Sequence, residues 1–359
     1  MTQPTSRLHE WLARGGLMMA SVVAVLIVLE LGCRLMRGPS WLVHWPNLVL
    51  QERIDTKHQG VGRLVPDRQL GFVARAGFGA TGLSYDAHGW RVAPNPDGRA
   101  LAEPPILVVG DSIAHGDEVD DAEAWPARLQ LMLRRRVINT AMSGYGFDQI
   151  ALTAEKVAAE VKPAAIILSF TADDTRRNEM KRVWGAEKPY FELVAGKLTL
   201  RNSPVPASPA PADTLDVWQR AFGWSVLVDT VLRHQGWQYE WAVDHERVLP
   251  RGEGEKLSCA LLGRLKGLGV PMLLVAEYNR YVFENAEYAA ETRLTTGAVL
   301  TCAAGLGLAT LDLFDMDKDA VRRRGLEALF RRSHPGPEGA RLTADAIAAE
   351  LEKRHILLR

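Results

Sequence analysis

Pro105-Ile106-Leu107-Val108-Val109-Gly110-Asp111-Ser112 is the stretch that decides the fold. A short unbroken apolar run closed by glycine reads as a parallel strand buried on both faces, since a half-solvated strand would alternate. Working outward, Ala122 to Arg135 is an amphipathic helix with Trp125, Leu129, Met132 and Leu133 on one side. Val137-Ile138-Asn139 is a second strand, Asp148 to Val161 a second helix, and Ala165 to Phe170 a third strand. Strands alternating with helices predict an α/β class: a doubly wound, flavodoxin-like parallel sheet with helices on both faces.

The alternation pauses at about residues 180–255. There Asn202 to Pro211 is a Pro/Ala/Ser stretch unfit for regular structure, flanked by a hairpin (Tyr190 to Leu200) and a helix (Asp213 to His234). This segment reads as an insertion. The pattern resumes with a strand at Val270 to Val275, a helix over 288–304, a strand at Ala309 to Leu313 and a last helix from Gly336 to Lys353. Residues 38–103 read as an irregular lead-in carrying short strands such as Leu70-Gly71-Phe72-Val73, and 104–359 as the main domain.

Gly15 to Leu29 contains no charged residue and is dominated by Leu, Val, Met and Ile. A helix of roughly 20 residues spans the hydrocarbon core, so residues 15–35 read as a single-pass transmembrane anchor within an N-terminal segment of 1–37. Glu30 then belongs near the headgroups. Three alternatives remain: a cleaved signal, which lacks a well-placed small-x-small site; lipidation at Cys33; and a buried core helix. Arg7 and Arg14 before the run match Arg34 and Arg37 after it, so charge does not fix orientation. The expectation is an inner-membrane protein whose main domain lies outside the cytoplasm, in the periplasm.

Composition narrows the rest. Of 359 residues, 47% are hydrophobic, and 43 Lys+Arg balance 43 Asp+Glu, which excludes wholesale disorder and gives no electrostatic reason for a nucleic-acid partner. The arginine runs 134–136, 322–324 and 331–332 read as solvated faces. Three cysteines make no disulfide framework, no spacing suggests zinc, and Cys259 and Cys302 read as buried small hydrophobes. The cluster Trp218, Phe222, Trp224, Trp237, Tyr239 and Trp241 reads first as packing of the insertion, with an acyl or sugar groove or a membrane surface as the alternatives.

Each of the first three strands ends in a small polar cluster, where an open parallel sheet binds ligands. These are Gly110-Asp111-Ser112, then Ser143-Gly144-Tyr145-Gly146, then Asp173-Asp174 with Asn178. A fourth, His334-Pro335 with Gly339, precedes the last helix. Serine needs a base within hydrogen-bond reach to act as a nucleophile, and His334 is the candidate.

In this order the clusters resemble the blocks of the SGNH (GDSL-type) hydrolase superfamily, over roughly residues 104–353. The insertion with Lys188-Pro189-Tyr190-Phe191 and the N-terminal anchor are similar to its membrane-tethered bacterial branch. The resemblance implies Ser112 as nucleophile, His334 as base, and Ser112, Gly144 and Asp173 at the oxyanion positions, with Asp111, Asp174, Asn178 and Arg331 as possible supporting residues. It implies an acyl-ester substrate (glycan, lipid or small metabolite) and no metal or organic cofactor, and it leaves protein partners unspecified.

Two residues depart from the pattern. Asp173 stands where the family has an oxyanion-donating Asn, and an ionised carboxylate cannot donate. Arg331 stands three residues before His334, where the family has the Asp that orients the base. The orienting group is then expected to be a backbone carbonyl, Glu327 or Asp312. A cation there is expected to lower the histidine's pKa, and Asp173 and Arg331 are expected to pair across the site. The alternatives to an esterase are an acyltransferase or bond-forming tailoring enzyme using the same serine, and a non-catalytic binding protein.

Overall fold

The computed structural model describes residues 5–52, 62–206, 215–235, 237–242 and 245–358. Two compact units divide the chain: Met1–Gln59 with Pro209–His245, and Gly60–Ser208 with Glu246–Arg359.

The second unit is built on five parallel strands: β1 (Ala102–Val109), β2 (Arg135–Asn139), β3 (Ala165–Phe170), β4 (Met272–Ala276) and β5 (Ala309–Asp312). Their spatial order is β2-β1-β3-β4-β5, the flavodoxin-like order, with the switch point between β1 and β3. Successive residues of β1 serve opposite faces. Leu107 and Val109 pack with Phe147 and Ile150 of α3 (Phe147–Val161) and Leu261 of α4 (Glu253–Lys266). Ile106 and Val108 pack with Trp125 and Leu129 of α2 (Trp125–Leu133) and Ile347 of α6 (Pro337–Lys353). Because both faces are covered, all five residues from Pro105 onward that make the run, Ile106 to Val109 among them, need no polar alternation.

Three features depart from expectation. Helix α4 was not anticipated, although Leu257, Leu261, Leu262 and Leu265 carry its helical spacing and lie buried. Cys259 on α4 and Cys302 on α5 (Ala286–Gly305) are not isolated hydrophobes: they form a disulfide with Cα atoms 5.8 Å apart, because the two helices pack side by side. The insertion is not one piece. Its hairpins, at 180–201, belong to the second unit, whereas its helices at 217–242 belong to the first. The helix expected from Asp213 to His234 has its start, and most of the Pro/Ala/Ser stretch, outside the described residues. What is described breaks into Val217–Phe222 and Val226–His234, because Ser225 caps the second piece by accepting from the Val228 N–H.

The first unit contains α1 (Thr5–Arg37), whose part Trp11–Arg37 is long and apolar enough to cross a membrane. The short strand expected around Leu70–Val73 in the lead-in is present at Gly71–Ala74. Residues 64–67 and 71–74 form an antiparallel hairpin, and the Arg91 N–H donates to the Asn139 carbonyl at 2.9 Å, tying this segment to β2.

Candidate active site

Ser112 opens the short helix Ser112–His115 directly after β1. Asp111 Oδ1 caps that helix by accepting from the Ile113 N–H at 2.9 Å. Gly110 is required by space: a Cβ there would lie 2.8 Å from Ala114 Cβ and 3.1 Å from Ser169 Cβ. The nucleophile loop thus presses against β3, and the serine emerges at the switch point.

The Ser112 hydroxyl donates to His334 Nε2 at 2.8 Å. On the far side of the ring, the Nδ1 proton is shared between Glu118 Oε1 at 3.1 Å and Ser333 Oγ at 2.8 Å. Ser333 in turn gives Glu118 its hydroxyl proton (2.9 Å) and its N–H (3.1 Å). A carboxylate therefore does stand behind the base, but it is Glu118, six residues after the nucleophile. Burial opposes its ionisation, yet the hydrogen bonds from His334 and Ser333 prevail and hold the carboxyl at about 2. For His334, burial works to lower its pKa, but the hydrogen bond to Glu118 and the charges of Asp117, Asp111 and Glu118 outweigh it and raise the value.

The residues expected to orient the histidine are engaged elsewhere. Glu327 pairs with Arg280, and Asp312 accepts from the Tyr278 hydroxyl at 2.8 Å and the Phe314 N–H at 3.0 Å. Arg331 does not depress the base. Its guanidinium donates to the Glu118 backbone carbonyl at 2.7 Å, so the charge faces the loop that carries the acid. Nor does it pair with Asp173, whose Oδ1 accepts from Arg176 at 2.7 Å on the helix Ala172–Arg177. Asp173 is placed at the carboxyl end of β3 as a paired carboxylate, which donates nothing.

The Glu118 loop is clamped from a second direction. Arg91, almost fully buried, donates to the carbonyls of His115, Gly116 (2.5 Å) and Val119 (2.7 Å) and to Asp121 Oδ1 (3.0 Å). Leaving such buried carbonyls unpaired costs about 1–3 kcal/mol each, so Arg91 is the main fastener of residues 115–121. Inside this loop, buried His115 gives its Nδ1 proton to Asp117 Oδ1 (2.6 Å) and accepts from the Tyr85 hydroxyl (2.8 Å). Burial dominates the titration of His115 and lowers its pKa, keeping the ring neutral. Asp117 also receives the Ser143 hydroxyl at 2.5 and 2.7 Å. The nucleophile loop and the Gly144 loop are thereby joined through one carboxylate.

Gly144 adopts φ +82, a conformation that favours glycine, and a Cβ on it would lie 2.9 Å from the Trp184 ring. The loop is anchored below by Asp148, which receives the buried Lys188 ammonium at 2.5 Å and gives its N–H to Asn178 Oδ1 at 2.8 Å. Asn178 also donates to Gly254 O and Ser258 Oγ, so it fastens α3 to α4 and takes no part in the Ser112–His334 array. Asp174 is fully buried, accepts from the Thr171 N–H and pairs with Arg177. Burial, reinforced by the charge of Asp111, raises its pKa well above the usual carboxylate range. Glu277, which accepts from the Ser169 hydroxyl on β3, is pushed up to about 8 by burial.

Glu118, Arg91 and His115 are the functional candidates the sequence reading missed. Glu118 had one weak signal: it is the second of two acids, Asp117 and Glu118, that follow the Gly110-to-Gly116 block.

No protein-family model and no curated protein matches the chain. Similar solved structures include TesA, with 15% identity, covering 70% of this chain and 99% of that one at a TM-score of 0.42. They also include the acetylxylan esterase Axe2 from Geobacillus stearothermophilus (14% identity, 70% and 95% coverage, TM-score 0.44). A third is the psychrotrophic esterase EstA from Pseudoalteromonas sp. (13%, 70% and 98%, 0.38). At these identities the likeness concerns the fold alone. The chain's own strand order makes it an α/β protein with a flavodoxin-like parallel sheet.

Proposed function

We propose that the chain is a serine esterase acting on O-acyl esters through an acyl-enzyme. The carrying observation is the Ser112–His334–Glu118 array, with contacts of 2.8 and 3.1 Å. Ser112 Oγ attacks the acyl carbonyl while His334 Nε2 takes its proton. Glu118 steadies the imidazolium, and the N–H groups of Ser112 and Gly144 receive the oxyanion. His334 then returns the proton to the leaving alcohol, and water repeats the sequence to release the acid. Asp173 contributes no donor, so the oxyanion rests on backbone N–H groups. An acceptor alcohol replacing water would turn the same intermediate into acyl transfer.

The acyl ester is that of an envelope glycan, a lipid or a small metabolite. The apolar α1 supports a membrane anchor, and the Cys259–Cys302 bridge supports an oxidising compartment outside the cytoplasm. With p-nitrophenyl acetate, full-length protein in detergent is expected to release p-nitrophenol in a burst equal to the enzyme concentration, followed by slower turnover. Absence of both from folded protein, or release unchanged in Ser112→Ala, overturns the reading.

A further inference from the structure

The first unit carries a feature that catalysis does not use. At its C-terminal end α1 stops being bare. Glu30 and Arg34 form a buried ion pair at 2.7 Å, and both are satisfied by residues outside the helix. Glu30 accepts from Ser225 Oγ (2.7 Å) and the N–H groups of Val226 (3.0 Å) and Leu227 (2.9 Å). Arg34 donates to the carbonyls of Trp41 (3.0 Å), His44 (2.9 Å) and Trp224 (2.6 Å). Residues 38–52 and 215–242 are thus fastened to the end of the apolar helix, and the Leu48 N–H bonds Gly223 O to join the two segments.

Most of the aromatic side chains of this fastened ring are exposed, contrary to the packing expected of them, while Trp41 and Trp241 are half-buried. Trp218 is 63% exposed, Trp237 58% and Trp45 46%, and Phe222, stacked on Trp218, is 43% exposed. The side chain of Tyr239 lies outside the described residues. Solvent-exposed tryptophans gathered at one end of an apolar span match the amphipathic belt found at headgroup depth. Water offers such a surface no compensation for its apolar area, whereas the headgroup boundary takes both the ring and its N–H.

We propose that residues 38–52 and 215–242 form a collar seated in the headgroup–acyl boundary of the bilayer that α1 crosses. This rests on α1 being membrane-embedded. The occupant is the lipid surface, because the collar is continuous with the span and is locked to it by Glu30 and Arg34.

The test uses full-length protein in phosphatidylcholine vesicles, in a Cys33→Ser background, with an environment-sensitive fluorophore on single cysteines. Val217→Cys and Val231→Cys probe the collar and leave every tryptophan in place; Val22→Cys probes α1, and Arg322→Cys is an exposed control. Shallow spin-labelled lipid is expected to quench positions 217 and 231, which iodide reaches much less than position 322. Deep spin-labelled lipid is expected to quench position 22. If 22 is quenched but 217 and 231 behave like 322, the collar is refuted while the anchor stands. If 22 also escapes lipid quenching, the anchor fails and takes the collar with it. Shielding of 217 and 231 from both lipid and iodide, in detergent as in vesicles, means a protein covers them, which also refutes the proposal.

Discussion

Glu118→Gln is expected to lower kcat/KM towards an acyl ester by about 10⁴-fold, the usual consequence of neutralising the acid of a serine triad. The amide keeps the shape, and none of the Arg331 and Arg91 contacts to this loop uses the Glu118 side chain, so the fold should persist. What goes is the anion opposite Nδ1. The imidazolium loses its partner, and the amide can present its NH₂ and favour the wrong tautomer. The pH profile supplies a second readout. The proposed mechanism needs neutral His334, whose pKa is raised, with the hydrogen bond to Glu118 the largest of the raising causes. Activity should therefore rise with pH through a value above the ordinary 6.5 in the wild type. Losing the anion removes that support, so the rising limb should move to lower pH in Glu118→Gln. Steady-state kinetics across pH 5–9 (an interval chosen to bracket the roughly 6.5 reference) checks both. A change of less than tenfold with an unmoved limb would mean that Glu118 does not serve the base.

Gly144→Ala should cost about 10²–10³ in kcat, the effect of losing one oxyanion donor. At φ +82 an alanine is strained, and its Cβ would come 2.9 Å from the Trp184 ring, so the backbone must turn or the ring must shift. Either response misaims an N–H whose alignment matters only in the transition state. KM and the pH limb should stay near wild type, since the Ser112–His334–Glu118 contacts are untouched. Parallel measurement of kcat, KM and the thermal midpoint separates this from general unfolding. A kcat within threefold of wild type would remove Gly144 from the oxyanion site.

The fold was legible where burial on both faces leaves a local mark. Ala165–Phe170 is a strand over the expected residues, because every one of its side chains is buried and the apolar run says so. The Ser112–His334 contact was legible because each residue stands at a strand or helix end that the alternation locates. Glu118 was not, because its role is set by contacts more than 200 residues away in sequence, to Ser333 and His334. The same distance hid the meaning of Arg331. Its charge suggests an electrostatic effect on the base, but its guanidinium faces a carbonyl. Asp173 was misjudged as Arg331's partner because Arg176, one helical turn on, reaches it first. The break before Ser225 was harder to read for a related reason: apolar spacing continues through it, and beside the local Ser225 cap the helix start is supported by Glu30, almost 200 residues away on α1.

The central claim is that Ser112 is an activated nucleophile with Glu118 behind its base, although Asp173 donates nothing and Arg331 supplies no carboxylate. Labelling of full-length protein with a fluorophosphonate probe, followed by peptide mass mapping, tests it most directly. The account predicts a stoichiometric adduct on Ser112, none in Ser112→Ala, and much slower labelling in Glu118→Gln. Folded protein that takes no adduct, or takes it on Ser333 or Ser143, would contradict it.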